Sequence, residues 1–275
     1  MTVTQDSGFG TIQGSHAYAN GGIYPVRLTL TDDDIGQDVE LTTAVVTGVG
    51  LNNGVLQIVG TISDERVSVN RAGRNTLRVH ADFLNNGPFR EFVESDIDMI
   101  RMHLCDGNDQ AFTIDSHADI PTIINGGDGN DILKGGNGPT ALIGEDGSDL
   151  LIAGKARTML VGGPGTDRLV GTHESDFLIG GSTVYDTYDP SNNNQQALLA
   201  ILGEWNSAQS YGDHINNIRN GSGSFLEGTG FFLQSDVTVL DDFVHDLLTG
   251  SGDLDWFLLN PLDIANDIRS DEETT

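Results

Sequence analysis

A nine-residue pattern, with one fixed apolar position among glycine and polar residues, runs through the middle of the chain. From Gly126 it reads GGDGNDILK, GGNGPTALI, GEDGSDLLI, AGKARTMLV, GGPGTDRLV and GTHESDFLI, with a weaker seventh copy, GGSTVYDTY. The eighth position is leucine in all six: Leu133, Leu142, Leu151, Leu160, Leu169 and Leu178. Each unit predicts a glycine-rich turn and a very short strand whose middle side chain points inward. Two units would close one turn of a flattened parallel coil over residues 126–188.

Alternating apolar and polar positions predict further strands upstream, in GVLQIVGTISDERVSVN and NTLRVHADF. Asp109 and Asp131 each end a DGND segment and lie 131 − 109 = 22 residues apart. That spacing suits a wider coil turn, so we predict irregular β-solenoid turns over residues 54–125.

A helical spacing follows the repeats. Apolar residues recur at three- and four-residue intervals, which predicts one amphipathic helix over 193–220 that ends at Gly221: Leu198, Ile201, Leu202, Trp205, Ala208, Ile215 and Ile218. Residues 225–268 are predicted to resume the coil, because Asp246 and Asp255 keep the nine-residue step. The last segment, 269–275, is predicted to be a disordered acidic tail.

The strand residues beside alternate leucines are apolar and should face outward. They are Ala141, Ile143, Met159, Val161, Phe177 and Ile179. An outer face of this kind is usually covered. We therefore expect the apolar stripe of the predicted helix to pack on it, with Trp205 near Met159.

The first 48 residues do not follow the nine-residue repeat. SHAYANGGIYPVRLTLTDDDIGQDVELTTAVVT resembles the final strands of a PKD-type immunoglobulin-like domain, with Tyr18, Tyr24 and an acidic hairpin at Asp32, Asp33 and Asp34. Such a domain normally needs about seven strands. The expected element over 1–48 is thus a partial PKD-like β segment.

The repeat matches G-G-x-G-x-D-x-U-x and resembles the RTX, or hemolysin-type, calcium-binding repeats of secreted bacterial proteins. The resemblance covers about 55 residues strictly. The predicted fold class is therefore all-β dominated: a parallel β-roll or β-solenoid with a truncated immunoglobulin-like (PKD) segment and one amphipathic helix packed on the roll.

The sixth position of each repeat carries the candidate chemistry. Alternate units share an edge, so Asp131, Asp149 and Asp167 should stack on one edge, and Thr140, Thr158 and Asp176 on the other. Carboxylates one strand spacing apart repel by about 3 kcal/mol per pair at an effective dielectric near 20. Calcium suits the space between them because it takes six to eight oxygen ligands. Zinc does not, since the repeats contain no cysteine and no histidine cluster.

The resemblance implies one ion between Asp131 and Asp149 and another between Asp149 and Asp167. It implies backbone carbonyl ligands from Gly126, Asp128, Gly144, Asp146 and Gly162. Glu145, Pro164 and Tyr185 depart from the repeat. We therefore expect about two occupied sites, and for Asp176, Asp246 and Asp255 a turn-capping role is at least as well founded as a ligand role.

The charge and the cysteine content of the chain also favour a bound metal ion. The chain has 13 Lys and Arg against 41 Asp and Glu, a net charge of −28 that disfavours nucleic acid as a partner. A halophile-like surface is the alternative explanation of the charge. One cysteine, Cys105, permits no internal disulfide, for which bound metal is the usual substitute in secreted proteins. The seven histidines have no metal-ligand spacing, and no apolar run is long enough to span a membrane.

The predicted function is a calcium-binding, calcium-stabilised extracellular structural or adhesion module, at the C-terminal end of a large secreted or cell-surface bacterial protein. Other surface proteins and polysaccharide are candidate partners besides calcium. A β-solenoid polysaccharide-degrading enzyme is an alternative, for which Arg71, Arg74, Arg78 and Arg101 are the local basic residues. A secretion or anchoring module is another. We predict that the protein is not an enzyme and has no catalytic residues.

Overall fold

The computed structural model describes residues 2–6, 9–13, 15–31, 37–85, 87–114, 120–187 and 193–274. These residues form a mostly β protein with two large, mainly parallel sheets of nine strands each and two α-helices. Neither helix has the length and apolar composition that a membrane crossing requires.

The N-terminal segment forms two antiparallel hairpins. Strands β1 (Thr2–Asp6) and β2 (Phe9–Gln13) make the first, and β3 (Gly22–Thr31) and β4 (Gln37–Val46) the second. Each hairpin is a sheet of its own within the described residues. The partial PKD-like assignment of 1–48 stays a prediction, and its acidic tip at Asp32, Asp33 and Asp34 lies outside the described residues.

Antiparallel strands also open the two large sheets: β5 (Gly48–Asn52), β6 (Val55–Val59), β7 (Arg66–Gly73), β8 (Thr76–Ala81) and β9 (Phe89–Val93), before a 3-10 turn at Glu94–Asp96. Asn53 and Gly54, with φ of 48° and 78°, form the left-handed pair that a tight hairpin requires. Strands β6 and β7 also pair in parallel with the next strands of their sheets, β10 (Met99–His103) and β11 (Gln110–Ile114), so the segment 54–125 contains parallel coil strands interrupted by the antiparallel strands β8 and β9.

The following strands wind as a coil. They are β10 (Met99–His103), β11 (Gln110–Ile114), β12 (Thr122–Asn125), β13 (Ile132–Lys134), β14 (Thr140–Ile143), β15 (Leu150–Ile152), β16 (Thr158–Val161), β17 (Arg168–Val170) and β18 (Phe177–Ile179). Successive strands alternate between a first sheet, which holds β14, and a second sheet, which holds β13. Leu133 pairs in parallel register with Leu151, so one turn of the regular coil takes 18 residues.

The core lies between the two sheets. All six repeat leucines are fully buried there. A leucine buried completely stabilises the fold by about 1.5–3 kcal/mol, so the ladder of leucines is a main source of the coil's stability.

A long insertion follows β18. It contains β19 (Ser182–Thr183), helix α1 (Asn193–Trp205), helix α2 (Tyr211–Asn220) and β20 (Val239–Leu240). The single helix predicted over 193–220 is therefore two helices. Ser210 starts the second, because its side chain accepts a hydrogen bond from the Asp213 N–H. Gly221, at φ 60°, ends it.

The helices cover the outer face of the first sheet. Trp205 is fully buried, with its ring 5.5 Å from that of Phe177, and Met159 belongs to the same apolar cluster. The Trp205 indole N–H donates to the Ser175 carbonyl at 2.9 Å, so the helix is tied to the coil by a hydrogen bond as well as by packing.

The strands after the insertion rejoin both sheets. They are β21 (Leu247–Thr249), β22 (Trp256–Leu258), β23 (Ile264–Asn266) and β24 (Glu273–Thr274), with β21 beside β17 and β22 beside β18. The prediction of a disordered tail over 269–275 is wrong for its described part, because β24 pairs with β22. Arg219 holds Glu273 there by an ion pair of 2.9 Å.

Candidate metal-binding edge

One edge of the coil carries a row of aspartates, each just before a strand of the second sheet. Its members are Asp109, Asp131, Asp149, Asp167, Asp246 and Asp263. All but the last are at most 3% exposed. The structure thus brings together the three predicted ligands and adds further carboxylates on either side of them.

Each carboxylate is fixed by the neighbouring turn. The backbone N–H of Asp131 donates to Asp149 Oδ1 at 2.7 Å, and the N–H of Asp149 donates to Asp167 Oδ1 at 2.8 Å. The same bond joins every neighbouring pair in the row, with Glu65 N–H donating to Asp109 at its start. One oxygen of each side chain is therefore committed to the coil.

In most of the row, the other carboxylate oxygen has no hydrogen-bond partner within the part of the chain that the structure describes. The Oδ2 atoms of five aspartates are buried without a hydrogen bond among the described residues: Asp109, Asp131, Asp149, Asp167 and Asp246. Glu65, which precedes the row, accepts Thr61 N–H, and at the other end of the row Asp263 Oδ2 accepts Asn260 N–H. An unsatisfied buried acceptor costs about 1–3 kcal/mol, and an ionised one costs more. Among the described residues, these five oxygens therefore lack a donor or cation that would offset that cost.

Glycine carbonyls lie beside the unpartnered oxygens. A Cβ atom added at Gly126 would collide with Asp131 Oδ2 and approach Gly144 O to 2.9 Å. At Gly144 it would meet Asp149 Oδ2 and Gly162 O, and at Gly162 it would meet Asp167 Oδ2 and Gly180 O. Each glycine thus leaves open a small space where a free carboxylate oxygen and a carbonyl oxygen converge.

The predicted carbonyl ligands divide into two kinds. Gly144 O and Gly162 O face these spaces, although Gly144 O also accepts the Gly127 N–H at 3.2 Å, and Gly126 has no side chain that would fill its own space. The Asp128 and Asp146 carbonyls instead accept backbone N–H groups of the neighbouring turns, from Gly107 at 2.8 Å and Gly129 at 2.7 Å. They would need their second lone pair to hold an ion.

Burial also makes the ionised form of the row costly. Burial raises the pKa of Asp149 to about 7. Burial, with the charge of Asp149 added, raises the pKa of Asp131 to about 7, and burial with the charges of Asp149 and Asp246 raises that of Asp167 to about 8. A divalent cation bound beside these carboxylates would offset the free-energy cost of ionising them.

A comparable row on the opposite edge is fully satisfied. Thr158 N–H donates to Asp176 Oδ1, and Asp176 N–H donates to Asp255 Oδ1, both at 2.7 Å. The second oxygen of Asp176 accepts Thr172 N–H, and that of Asp255 accepts Ser251 N–H, at 2.7 and 2.9 Å. These two aspartates cap their own turns, one of the two roles expected for them. Asp246, for which the same two roles were left open, belongs to the unsatisfied row.

The backbone at one turn position explains the difference for Asp109, Asp131, Asp149 and Asp167, whereas at Asp246 the positive φ lies one residue later, at Phe243 (62°). On the first edge, the residue four before the aspartate has a positive φ at Cys105 (77°), Gly127 (100°), Glu145 (69°) and Gly163 (104°). The N–H of Gly127 then donates to Gly144 O, at 3.2 Å, and not to Asp131. Thr172 and Ser251, at the same position on the other edge, have no positive φ. Their N–H groups therefore reach the carboxylate of their own turn.

The donor set is oxygen alone and suits calcium. Among the described residues, no three His, Cys, Asp or Glu side chains converge on one point. This follows from the geometry of the row, because its carboxylates lie one turn apart and any further ligands must be backbone carbonyls. Asp131, Asp149 and Asp167, with Gly144 O and Gly162 O, would hold the ions, and bound calcium would supply the positive charge that the free oxygens lack.

Comparison with protein-family models, with curated proteins and with solved structures finds no match. The function must therefore be argued from the row itself.

Proposed function

We propose that the chain is a calcium-binding and calcium-stabilised structural module of the RTX type. The observation that carries the proposal is the line of five buried Oδ2 atoms without hydrogen-bond partners, with glycine carbonyls beside them. The parallel coil of 18 residues per turn supports the resemblance that the nine-residue repeat suggested.

The proposal includes a place of action. Sites built from neutral carbonyls and shared carboxylates suit the millimolar calcium found outside cells. Since calcium would bind the folded row and not the unfolded chain, binding would be coupled to stability. We therefore propose an extracellular or cell-surface role, structural or adhesive, for a secreted bacterial protein.

The proposed role is not catalytic. Two of the basic residues on which a polysaccharide-degrading site would depend are held in ion pairs, Arg71 with Glu94 at 3.1 Å and Arg78 with Glu91 at 2.6 Å. The carboxylates of the row are each occupied by a backbone N–H, an arrangement that suits ion binding better than proton transfer.

Circular dichroism with calcium titration tests the proposal. Chelator-stripped protein should gain β signal and thermal stability cooperatively as calcium is added, and magnesium should not replace it. Isothermal titration calorimetry on the same sample should give about two ions per chain. An unchanged spectrum with no heat of binding would overturn the proposal.

A further inference from the structure

The second sheet carries a groove on its outer face that the aspartate row does not use. It lies where β11, β13 and β15 end and has a volume of about 760 Å³. Phe112, Lys134 and Ile152 stand side by side in it, because the parallel register pairs them across the three strands. The volume is within the range of small-molecule sites.

Both lysines of the chain line this groove. Lys134 ends β13, and Lys155 lies in the turn after β15, where its backbone N–H donates to Gly136 O at 2.7 Å. The other titratable side chains of the lining are His173 and Glu174. Two ammonium groups against one carboxylate make this lining cationic in a chain whose net charge is −28.

The rest of the lining is largely apolar. Phe112 and Ile152 are half-buried and leave part of each side chain to the groove. Gly135, Gly136 and Gly154 bring the backbone close to its floor. An apolar surface beside paired cations is complementary to a molecule that has an apolar body and an anionic end.

We propose that this groove binds a small carboxylate with an apolar body, of the aromatic-acid class. The carboxylate would lie against Lys134 and Lys155, and the ring would lie on Phe112 and Ile152. A single negative charge is favoured over a polyanion, because each added charge meets the repulsion of a chain with net charge −28. This inference does not depend on the proposed calcium function.

Two probes of equal shape test it on the full chain in excess calcium. We expect 2-naphthoate to give saturation-transfer NMR signals and a calorimetric Kd at least about tenfold lower than that of neutral 2-naphthalenemethanol, since charge-assisted contacts favour the acid. The double variant Lys134→Met with Lys155→Met should weaken naphthoate binding by about tenfold or more and leave the alcohol unchanged. Arg74→Met, which removes an exposed cation outside this groove, should change neither.

The comparison of the two probes on the unmodified protein needs no variant, and far-UV circular dichroism checks that each variant is folded. Phe112→Ala should weaken both probes. No binding of naphthoate, equal affinity for acid and alcohol, or an unchanged naphthoate Kd in the double lysine variant would each overturn the proposal.

Discussion

The two edges of the coil use the same residue type for opposite purposes. On one edge the second oxygen of Asp149 faces a glycine carbonyl and has no partner, whereas on the other edge the second oxygen of Asp255 accepts an N–H of its own turn. For this pair the difference follows from the backbone four positions earlier, where Glu145 has a positive φ and Ser251 does not. An aspartate in a coil of this kind thus becomes a candidate ligand only where its own turn is prevented from satisfying it.

Acidity should affect the two calcium states in opposite ways, and this is the largest expected effect. The pKa values of Asp131, Asp149 and Asp167 lie at about 7 to 8 when folded, and those of Asp176 and Asp255 on the other edge at about 7, against an ordinary value of 3.8, so the folded state binds protons more tightly than the unfolded chain. Without calcium, the free energy of unfolding should therefore be highest near pH 4 and fall as the pH rises to about 8, by about 4 kcal/mol or more.

With calcium the trend should reverse, because protons then compete with the ion for the carboxylates. Urea unfolding near pH 5 and near pH 8, with chelator and with calcium, measures both trends. Equal pH dependence in the two conditions would show that the row is not where calcium acts.

A methyl group placed on each edge gives the next largest effect. Gly144→Ala puts a Cβ against Asp149 Oδ2 and Gly162 O, so it should destabilise the protein by about 3 kcal/mol and reduce calcium affinity. Gly171→Ala is the matched control on the other edge, where the added Cβ would lie 3.2 Å from Asp176 Oδ2. Thermal unfolding with and without calcium compares them, and similar losses in both variants would contradict the assignment.

Replacing an aspartate by the isosteric asparagine should have opposite effects on stability at the two edges, because the second carboxylate oxygen is unpartnered on one edge and hydrogen-bonded on the other. Asp149→Asn should stabilise the calcium-free protein at pH 8 by about 1–2 kcal/mol, because the new amide can donate to Gly162 O and no charge is buried. Asp255→Asn should lower stability by about the same amount, because its amide cannot accept from both Asp176 N–H and Ser251 N–H.

Urea midpoints in chelator give the sign of each change. Only the Asp149 variant should lose stabilisation by calcium. Changes of the same sign in both variants would show that the two edges are equivalent.

Substitutions at Glu145 should have the smallest effect on stability, and they test whether the positive φ at this turn position is strained. Glu145 holds a positive φ of 69°, and its side chain accepts a hydrogen bond from Asn125 Nδ2 at 2.6 Å. Both Glu145→Gly and Glu145→Ala remove that bond, but only glycine relieves the backbone. The glycine variant should therefore be about 1 kcal/mol more stable than the alanine variant, as measured by urea unfolding. Equal stabilities would mean that the turn is unstrained.

The repeat predicted the regular part of the fold well. Its fixed leucines are the buried centre of the coil, because a strand of three residues leaves only one inward position. The helical spacing identified the apolar stripe but not its interruption, since Ser207, Ala208 and Ser210 are compatible with a helix. The final strand was missed because Glu273 and Thr274 carry no apolar signal and depend on pairing with Trp256 and Phe257.

The nine-residue repeat predicted members of the aspartate row only where the repeat is regular. Asp109 lies 22 residues before Asp131, and Asp246 lies 79 residues after Asp167, so neither keeps the 18-residue step. Cys105 and Glu145 hide the glycine signature of the turn while keeping its positive φ. At Asp109, Asp131, Asp149 and Asp167 that backbone conformation decides that the second oxygen is free, and the sequence does not show it.

A calcium-loaded crystal with anomalous difference density tests the central claim most directly. Peaks are expected between the turns of Asp131, Asp149 and Asp167, each in contact with an Oδ2 atom and a glycine carbonyl, and no peak is expected between Asp176 and Asp255. An empty first edge, or peaks along the second edge instead, would contradict it.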